Sequence, residues 1–326
     1  MEVTSNQKNG KKIDFAVGGQ AVIEGVMMRS YDYVTVAVRK ENGDIKVKDN
    51  VYKSFTRRLK ILGLPLVRGV VNLFEMMIIG MKSLNFSANE MVDETDEGPA
   101  TLRQKIIDGV LFALSFVFAI ALSLFLFKFL PLWITEYLSS IYEPIRTSFL
   151  YNLIDGILKT SFFIGYVAIL GILPSIKRVF EYHGAEHKSI FTYEKGLPLT
   201  VENAKKQSRF HPRCGTSFIF IVIMISILTY TFLPRDPDFI ANFSKRLLLL
   251  PLIAAFSYEV LKWSAKNRDN KWLGYLVAPG LKFQLLTTKE PDEKQLEVAL
   301  EALQKALALE ESKSLLNGNA ELQTIT

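Results

Sequence analysis

The chain has 326 residues, enough for one large domain or two ordinary ones. Nearly half of it is apolar, 23 residues are Phe and mean hydropathy is +0.19, a load that ordinary soluble domains of this size do not carry in unbroken runs. The formal charge is +6, with the basic residues spread over loops. That pattern excludes a nucleic-acid stripe, so no nucleic-acid partner is expected, and it suits attraction to anionic membrane lipid.

The single cysteine, Cys214, rules out an intrachain disulfide and fits a reducing compartment. The first twelve residues are polar and basic with no apolar stretch behind them, so insertion is expected to use internal spans rather than a cleavable signal. Residues 1–60 read as a small soluble module. YVTVAVR at Tyr33–Arg39 alternates, Glu41-Asn42-Gly43-Asp44 marks a turn, and residues 45–48 alternate again, which predicts a β hairpin. Residues 64–81 are apolar, yet Arg68, Asn72, Glu75 and Lys82 form one polar stripe at helical spacing. Such a helix lies in the membrane interface or turns its stripe inward in a bundle. An acidic linker follows at residues 89–98, so 61–105 reads as an amphipathic or re-entrant helix plus linker.

Membrane signals fill residues 106–262. Uncharged or nearly uncharged runs at 110–127, 151–176 and 215–234 are long enough to span, and 215–234 is the clearest. A weaker fourth, 247–261, is interrupted by Pro251 and Glu259. Asp155 and Lys159 in the second run stand four apart, as an ion pair within a bundle would. Residues 272–281 are apolar but short and read as interfacial. In the tail, 263–326, Leu296, Leu300, Leu303 and Leu307 predict an amphipathic helix over 291–310, a surface for a protein partner or a second copy of the chain. Sixteen Lys and Arg precede the first span, eight lie in 177–214 and nine follow the fourth run, from Lys262 on, while the other two loops hold few. The positive-inside rule therefore puts both termini and the 177–214 segment in the cytoplasm.

That segment holds every histidine in the chain, His183, His187 and His211, together with Cys214. His183-Gly184-Ala185-Glu186-His187 is an H-x-x-E-H string. Residues four apart share a helix face, so both imidazoles can reach one ion, zinc or a neighbour in the transition series. In hydrolases with this inverted string the Glu polarises metal-bound water, which makes Glu186 the candidate base. His211 or Cys214 would supply a third ligand, and Lys188 or Arg213 could lower the thiol pKa or steady a developing anion. Four protein ligands would make a closed structural site, three plus water a catalytic one. Gly184, a poor helix former, stands in the middle of the string.

Softer candidates lie outside the segment. VGGQAVIEGVMMR at 17–29 could wrap a ligand, with Glu24 as a further oxygen donor and Arg29 as its base, or could be a turn leading into a strand. Arg68 and Glu75 are costly near lipid and so candidates for a substrate site, or for a structural pair against the Asp155/Lys159 face.

Several strings together are similar to those of the YqhQ-like bacterial membrane proteins: VGGQAVIEGVMMR, LVRGVVNLFEMMIIGMKSLNFSA, EYHGAEHKSI, RFHPRCGTSF and PGLKFQLLTTKEPDEKQLEVA. The resemblance runs over most of the chain. It implies a metal-dependent enzyme, with His183, Glu186, His187, His211 and Cys214 as its site, and supplies no substrate. The expectation is a mainly α, polytopic membrane bundle of about four spans in a bacterial inner membrane, with a small N-terminal β hairpin module and a C-terminal cytoplasmic amphipathic helix. Its expected activity is that of a metal-dependent hydrolase of the cytoplasmic face. A transporter or pore using the ionisable residues of the apolar segments, or a scaffold with a structural metal, are the alternatives.

Overall fold

The computed structural model describes residues 17–91, 101–212, 214–234, 236, 238–266 and 271–323. The fold is mainly α, with one small sheet. Strands β1 (Gly18–Val22), β2 (Gly25–Arg29), β3 (Tyr33–Arg39) and β4 (Ile45–Val51) form an antiparallel meander in chain order. The expected hairpin is β3–β4, pairing Arg39 with Ile45 across the Asn42-Gly43 turn, where Gly43 takes φ +91°. The 17–29 glycine stretch is a second hairpin, β1–β2, closed by the two residues Ile23 and Glu24. So the reading of a turn leading into a strand holds there.

The alternation in β3 does not expose its polar positions. Both faces of the sheet are covered, and Val34 through Val38 are all buried. One face packs Val26, Met28 and Ala37 against Tyr182, Ala185, Leu296, Ala299 and Leu303. The other packs Val22, Met27, Val36 and Val38 against Met76, Ile79, Leu84 and Phe86. Thr35, polar but buried, donates its hydroxyl to the carbonyl of Ala302 at 2.7 Å.

The helices are α1 (Phe55–Arg58), α2 (Val67–Met91), α3 (Leu102–Leu124), α4 (Leu130–Ile141), α5 (Ser148–Leu170), α6 (Pro174–Glu194), α7 (Val201–Lys205), α8 (Gly215–Thr231), α9 (Phe239–Lys266), α10 (Lys271–Thr287) and α11 (Glu293–Gln323). Three stretches are long and apolar enough to cross a membrane: Ile106–Ile141, Phe149–Leu170 and Phe239–Ser264. The run expected to be the clearest span folds as α8, only 17 residues, about 25 Å long. The run expected to be weakest lies inside the 28-residue α9, which Pro251 does not break. The first span does not stop near 127, because one π-helical turn, Phe125–Phe129, joins α3 to α4. The second ends at Leu170, since Gly171 caps α5 and Pro174 opens α6 on a new course. Residues 272–281 belong to α10, which crosses α8 so closely that a Cβ on Gly280 would meet Ser217 Cα at 2.8 Å.

The separation into a leading module of 1–60 and a tail of 263–326 does not follow the packing. The sheet, α6 and α11 share one apolar core drawn from three distant stretches of sequence. The Leu296, Leu300 and Leu303 side of α11, offered above as a docking face, is buried in that core, with Leu307 packed against it. The start of the chain, 1–16, and residues 92–98 of the acidic linker lie outside the described residues. The polar stripe of α2 does turn inward, toward α9 and the end of β4. Arg68 makes a two-pronged pair with Glu259, and Asn72 donates to Tyr258 Oη at 2.8 Å.

Candidate functional site

Helix α6 carries the H-x-x-E-H string, and it is buried on every side from Gly184 to Ile190. A helix lined by His, Glu, Lys and Ser has no hydrophobic reason to be enclosed, so its neighbours must satisfy these groups. Gly184 does not interrupt it. The segment after α10 crosses α6 there, and a Cβ on Gly184 would stand 2.1 Å from the carbonyl oxygen of Lys289. That crossing is pinned by Lys289 N, which donates to Phe180 O at 2.8 Å.

The crossing delivers the partners of the histidines. His183 Nδ1 meets the carbonyl of Thr287 at 2.8 Å, and His187 Nδ1 meets the carbonyl of Arg209 at 2.5 Å. A carbonyl only accepts, so each Nδ1 carries the proton and each Nε2 is left with its lone pair. His183 Nε2 lies 3.2 Å from Cys214 Sγ. The thiol also engages His187 and accepts from Thr216 Oγ1 at 3.3 Å. One donor atom from each of His183, His187 and Cys214 falls within 4.8 Å of the other two. Cys214 stands just ahead of the first turn of α8. Burial holds His187 below the usual imidazole pKa, against the opposing bond from Cys214, so the neutral, ligating form is favoured.

His211 does not join this trio. Its ring centre lies 5.6 Å from that of His187 and 4.5 Å from that of Phe191, and its Nε2 is 3.4 Å from Glu194 Oε1. Its backbone is clamped by Gln284, which accepts from His211 N and donates to His211 O, both at 2.8 Å. Glu186 is buried on the β1 side of α6. It accepts a bond from the Gly19 backbone, and a Cβ on Gly19 would touch its side chain at 2.8 Å. Burial pushes its carboxyl above the usual range, while the nearby imidazoles of His183 and His211 and the Gly19 N–H draw it back.

The remaining candidates have structural partners. Glu24, at φ 50°, receives both prongs of Arg178 and the Tyr182 hydroxyl at 3.3 Å, which fastens the β1–β2 turn to α6. Arg29 donates to Met76 Sδ at 2.9 Å and stacks on Tyr52. Glu75 accepts from Tyr52 Oη, Ser54 Oγ and Phe55 N. Arg68 and Glu75 therefore pair with α9 and the end of β4, not with Asp155 and Lys159. Lys188 is buried and donates to Lys205 O at 3.0 Å and to Glu290. Arg213 lies outside the described residues. The sequence reading missed Thr287, Arg209 and Gln284, which act through backbone carbonyls or an amide. Only their place in or beside the strings PGLKFQLLTTKEP and RFHPRCGTSF could have marked them.

The family described as "Protein of unknown function (DUF1385)" matches residues 64–309, a stretch that includes the whole His/Cys cluster. The chain belongs to this family. A relative, "Uncharacterized protein YqhQ" of Bacillus subtilis (strain 168), is 37% identical over 308 residues, covering 92% of this chain and 94% of its own length. The YqhQ-like resemblance drawn from the strings is thus a family membership that spans nearly the whole chain. No solved structure matches this DUF1385 chain.

Proposed function

We propose that this protein is a metal-dependent hydrolase working at the cytoplasmic face of a bacterial inner membrane. His183, His187 and Cys214 would hold one divalent metal, zinc by preference. The observation that carries this reading is the convergence of three donor atoms within 4.8 Å, with both Nδ1 atoms tied to backbone carbonyls. Ligands of a tetrahedral zinc stand about 3.5 Å apart, so a small contraction of the trio would suffice. Three protein ligands leave a fourth position, where the metal would supply a polarised water. Glu186, the buried carboxyl beside His183 and His211, would take the proton, and burial raises its affinity for one. Sitting against Gly19, it serves as a proton acceptor and not as a ligand.

The paths of the helices support the placement. With α3–α4, α5, α8 and α9 crossing the bilayer, the Lys- and Arg-rich segments fall on the side that holds the cluster and both termini. Exposed Phe55, Leu59, Ile61 and Leu64, interleaved with Arg58 and Lys60, suit an edge resting in anionic lipid. A site at that level favours a lipid-like or membrane-peptide substrate. The scaffold alternative needs a fourth protein ligand, and the group found among the described residues has three. A Cys–His nucleophile pair is a second reading, favoured by the 3.2 Å contact of His183 with Cys214. It leaves the contact of His187 with the same sulfur without a purpose.

The test is elemental mass spectrometry of the detergent-purified protein beside a His183→Ala/His187→Ala variant. About one zinc or iron per chain, lost in the variant, is expected. Glu186→Gln should keep the metal and lose turnover. Absence of metal in the wild type after reconstitution would overturn the metal reading. Alkylation of Cys214 that stays fast in the presence of zinc would point to the nucleophile pair.

A further inference from the structure

At the far end of the same helices lies a second polar centre that the hydrolase reading does not use. Tyr230 is sixteen residues beyond Cys214 along α8, roughly 24 Å away. Around its ring stand three cations. The Arg246 guanidinium is 4.9 Å, the Lys159 ammonium 5.5 Å and the Lys128 ammonium 5.8 Å from the ring centre. One carboxylate, Asp155, answers them. Its Oδ2 accepts from Arg246 Nη1 at 2.7 Å and from Lys159. Asp155, Lys159 and Arg246 are all buried, at 1%, 7% and 4% exposure.

The bonds around this centre are unevenly spent. Arg246 is anchored at all three nitrogens, since besides the bond from Nη1 to Asp155 it donates from Nη2 to Asn152 Oδ1 at 2.6 Å and from Nε to Asn242 Oδ1 at 3.3 Å. Lys159 uses one of its three N–H groups on Asp155. Among the described residues Lys128 has no hydrogen-bond acceptor and no direct ion pair; its ammonium faces the Tyr230 ring and feels Asp155, Lys159 and Arg246 only through space. A further carboxylate, Glu136, is engaged by Tyr151 Oη at 2.7 Å. Even with Glu136 counted, three positive groups face two negative ones among the described residues. Neighbouring charges close among themselves, Lys245 on Asp236 for example.

Lys128 owes its place to the π-helical turn. Pro131 has no N–H and its ring would crowd the carbonyl four residues back, so the helix widens over Phe125–Phe129 with Lys128 inside the wide turn. An ammonium group in an apolar segment is costly unless something compensates it. A purely structural network would be charge-balanced and would gain nothing from a third cation.

We propose that Lys128 and Lys159, over the ring of Tyr230, bind a small inorganic anion at the end of the bundle remote from the His/Cys cluster. The anion balances the excess charge and takes the unused N–H donors of both lysines. Arg246 and Asp155 hold Lys159 in place and do not touch the ligand. Lys128 is half-buried. This site is independent of the metal reading and would survive its failure.

The probe is chloride. Thermal unfolding of the full chain in detergent is followed while chloride replaces gluconate at fixed pH and ionic strength. At about a hundred times its Kd, chloride should raise the midpoint by about 5 °C. Lys128→Met should fold and abolish that rise, since Lys128 bonds to no other described side chain. Lys159→Met should weaken chloride binding about tenfold or more. If Lys159→Met does not fold, Lys128→Met alone decides. A midpoint that follows pH but ignores chloride, nitrate and phosphate would overturn the proposal, because a neutral lysine would then supply the balance. A chloride effect that persists undiminished in Lys128→Met would overturn it as well.

Discussion

Replacing Gly184 by alanine sets two effects of opposite sign against each other. In an exposed helix the change would stabilise by about 0.5–1 kcal/mol, because glycine loses more backbone freedom on folding. Here the new Cβ would stand 2.1 Å from Lys289 O and 3.3 Å from both Lys289 C and Pro291 Cδ. Ordinary contact begins at 3.4 Å, so the carbonyl must retreat by 3.4 − 2.1 = 1.3 Å. It is not free to do so, since Lys289 N is bonded to Phe180 O and Glu290 to Lys188. Backbone shifts forced by an added carbon in a packed interior cost about 1–3 kcal/mol, often more. The balance is a net loss of about 1–2 kcal/mol. The moved segment also holds Thr287 O, which orients His183, and Thr288 O, which accepts from Arg209 at 2.9 Å beside the carbonyl that orients His187. Zinc affinity should therefore fall about 10- to 100-fold, as it does when outer-shell partners are lost. Denaturant unfolding with and without zinc, plus a zinc titration, reads both numbers. Gly165→Ala is the control, for nothing lies within 4 Å of its would-be Cβ and it should gain stability. A Gly184→Ala protein as stable as the wild type, with unchanged zinc affinity, would refute the account of the crossing.

Glu75→Ala should cost about 2–4 kcal/mol in denaturant unfolding, since it strands Tyr52 Oη, Ser54 Oγ and Phe55 N in a buried place. Glu24→Ala should leave the metal content unchanged and cost less than about 1 kcal/mol, because its partner Arg178 is half exposed. Asp32 supplies a pH signature. Burial raises its carboxyl pKa, but the bonds from Lys313 and Arg57 outweigh this, so the folded value lies below the unfolded one, near 3.8. The unfolded chain thus binds more protons in that window, and stability present above about pH 4 is lost as the pH falls through the folded pKa. The acid limb of the unfolding profile should be shallower in Asp32→Asn than in the wild type.

Much of the fold was legible because it rests on local chemistry. Asn42-Gly43 between alternating runs fixed the β3–β4 register, and four-residue spacing on α6 put His183 and His187 on one side. Their shared partner at Cys214 was within reach of the same reading, since all the histidines lay close to it in sequence. Helix lengths were harder. An uncharged run measures hydropathy, whereas Gly171, Pro174 and the turn at Pro131 decide where a helix ends or bends.

Which of His211 and Cys214 stands beside His183 and His187, the partner of each buried acid, and the need for glycine at 184 were decided only by the tertiary structure. The amino-acid string by itself determined the long apolar runs, the N-terminal hairpin and the gathering of all histidines and the cysteine in one segment. It could not show that β2, β3, α6 and α11 close around one core, because that closure joins residues more than two hundred positions apart. Nor could it name the carbonyls of Thr287 and Arg209. Every residue carries a carbonyl, and only the path of the chain selects which ones meet the two imidazoles.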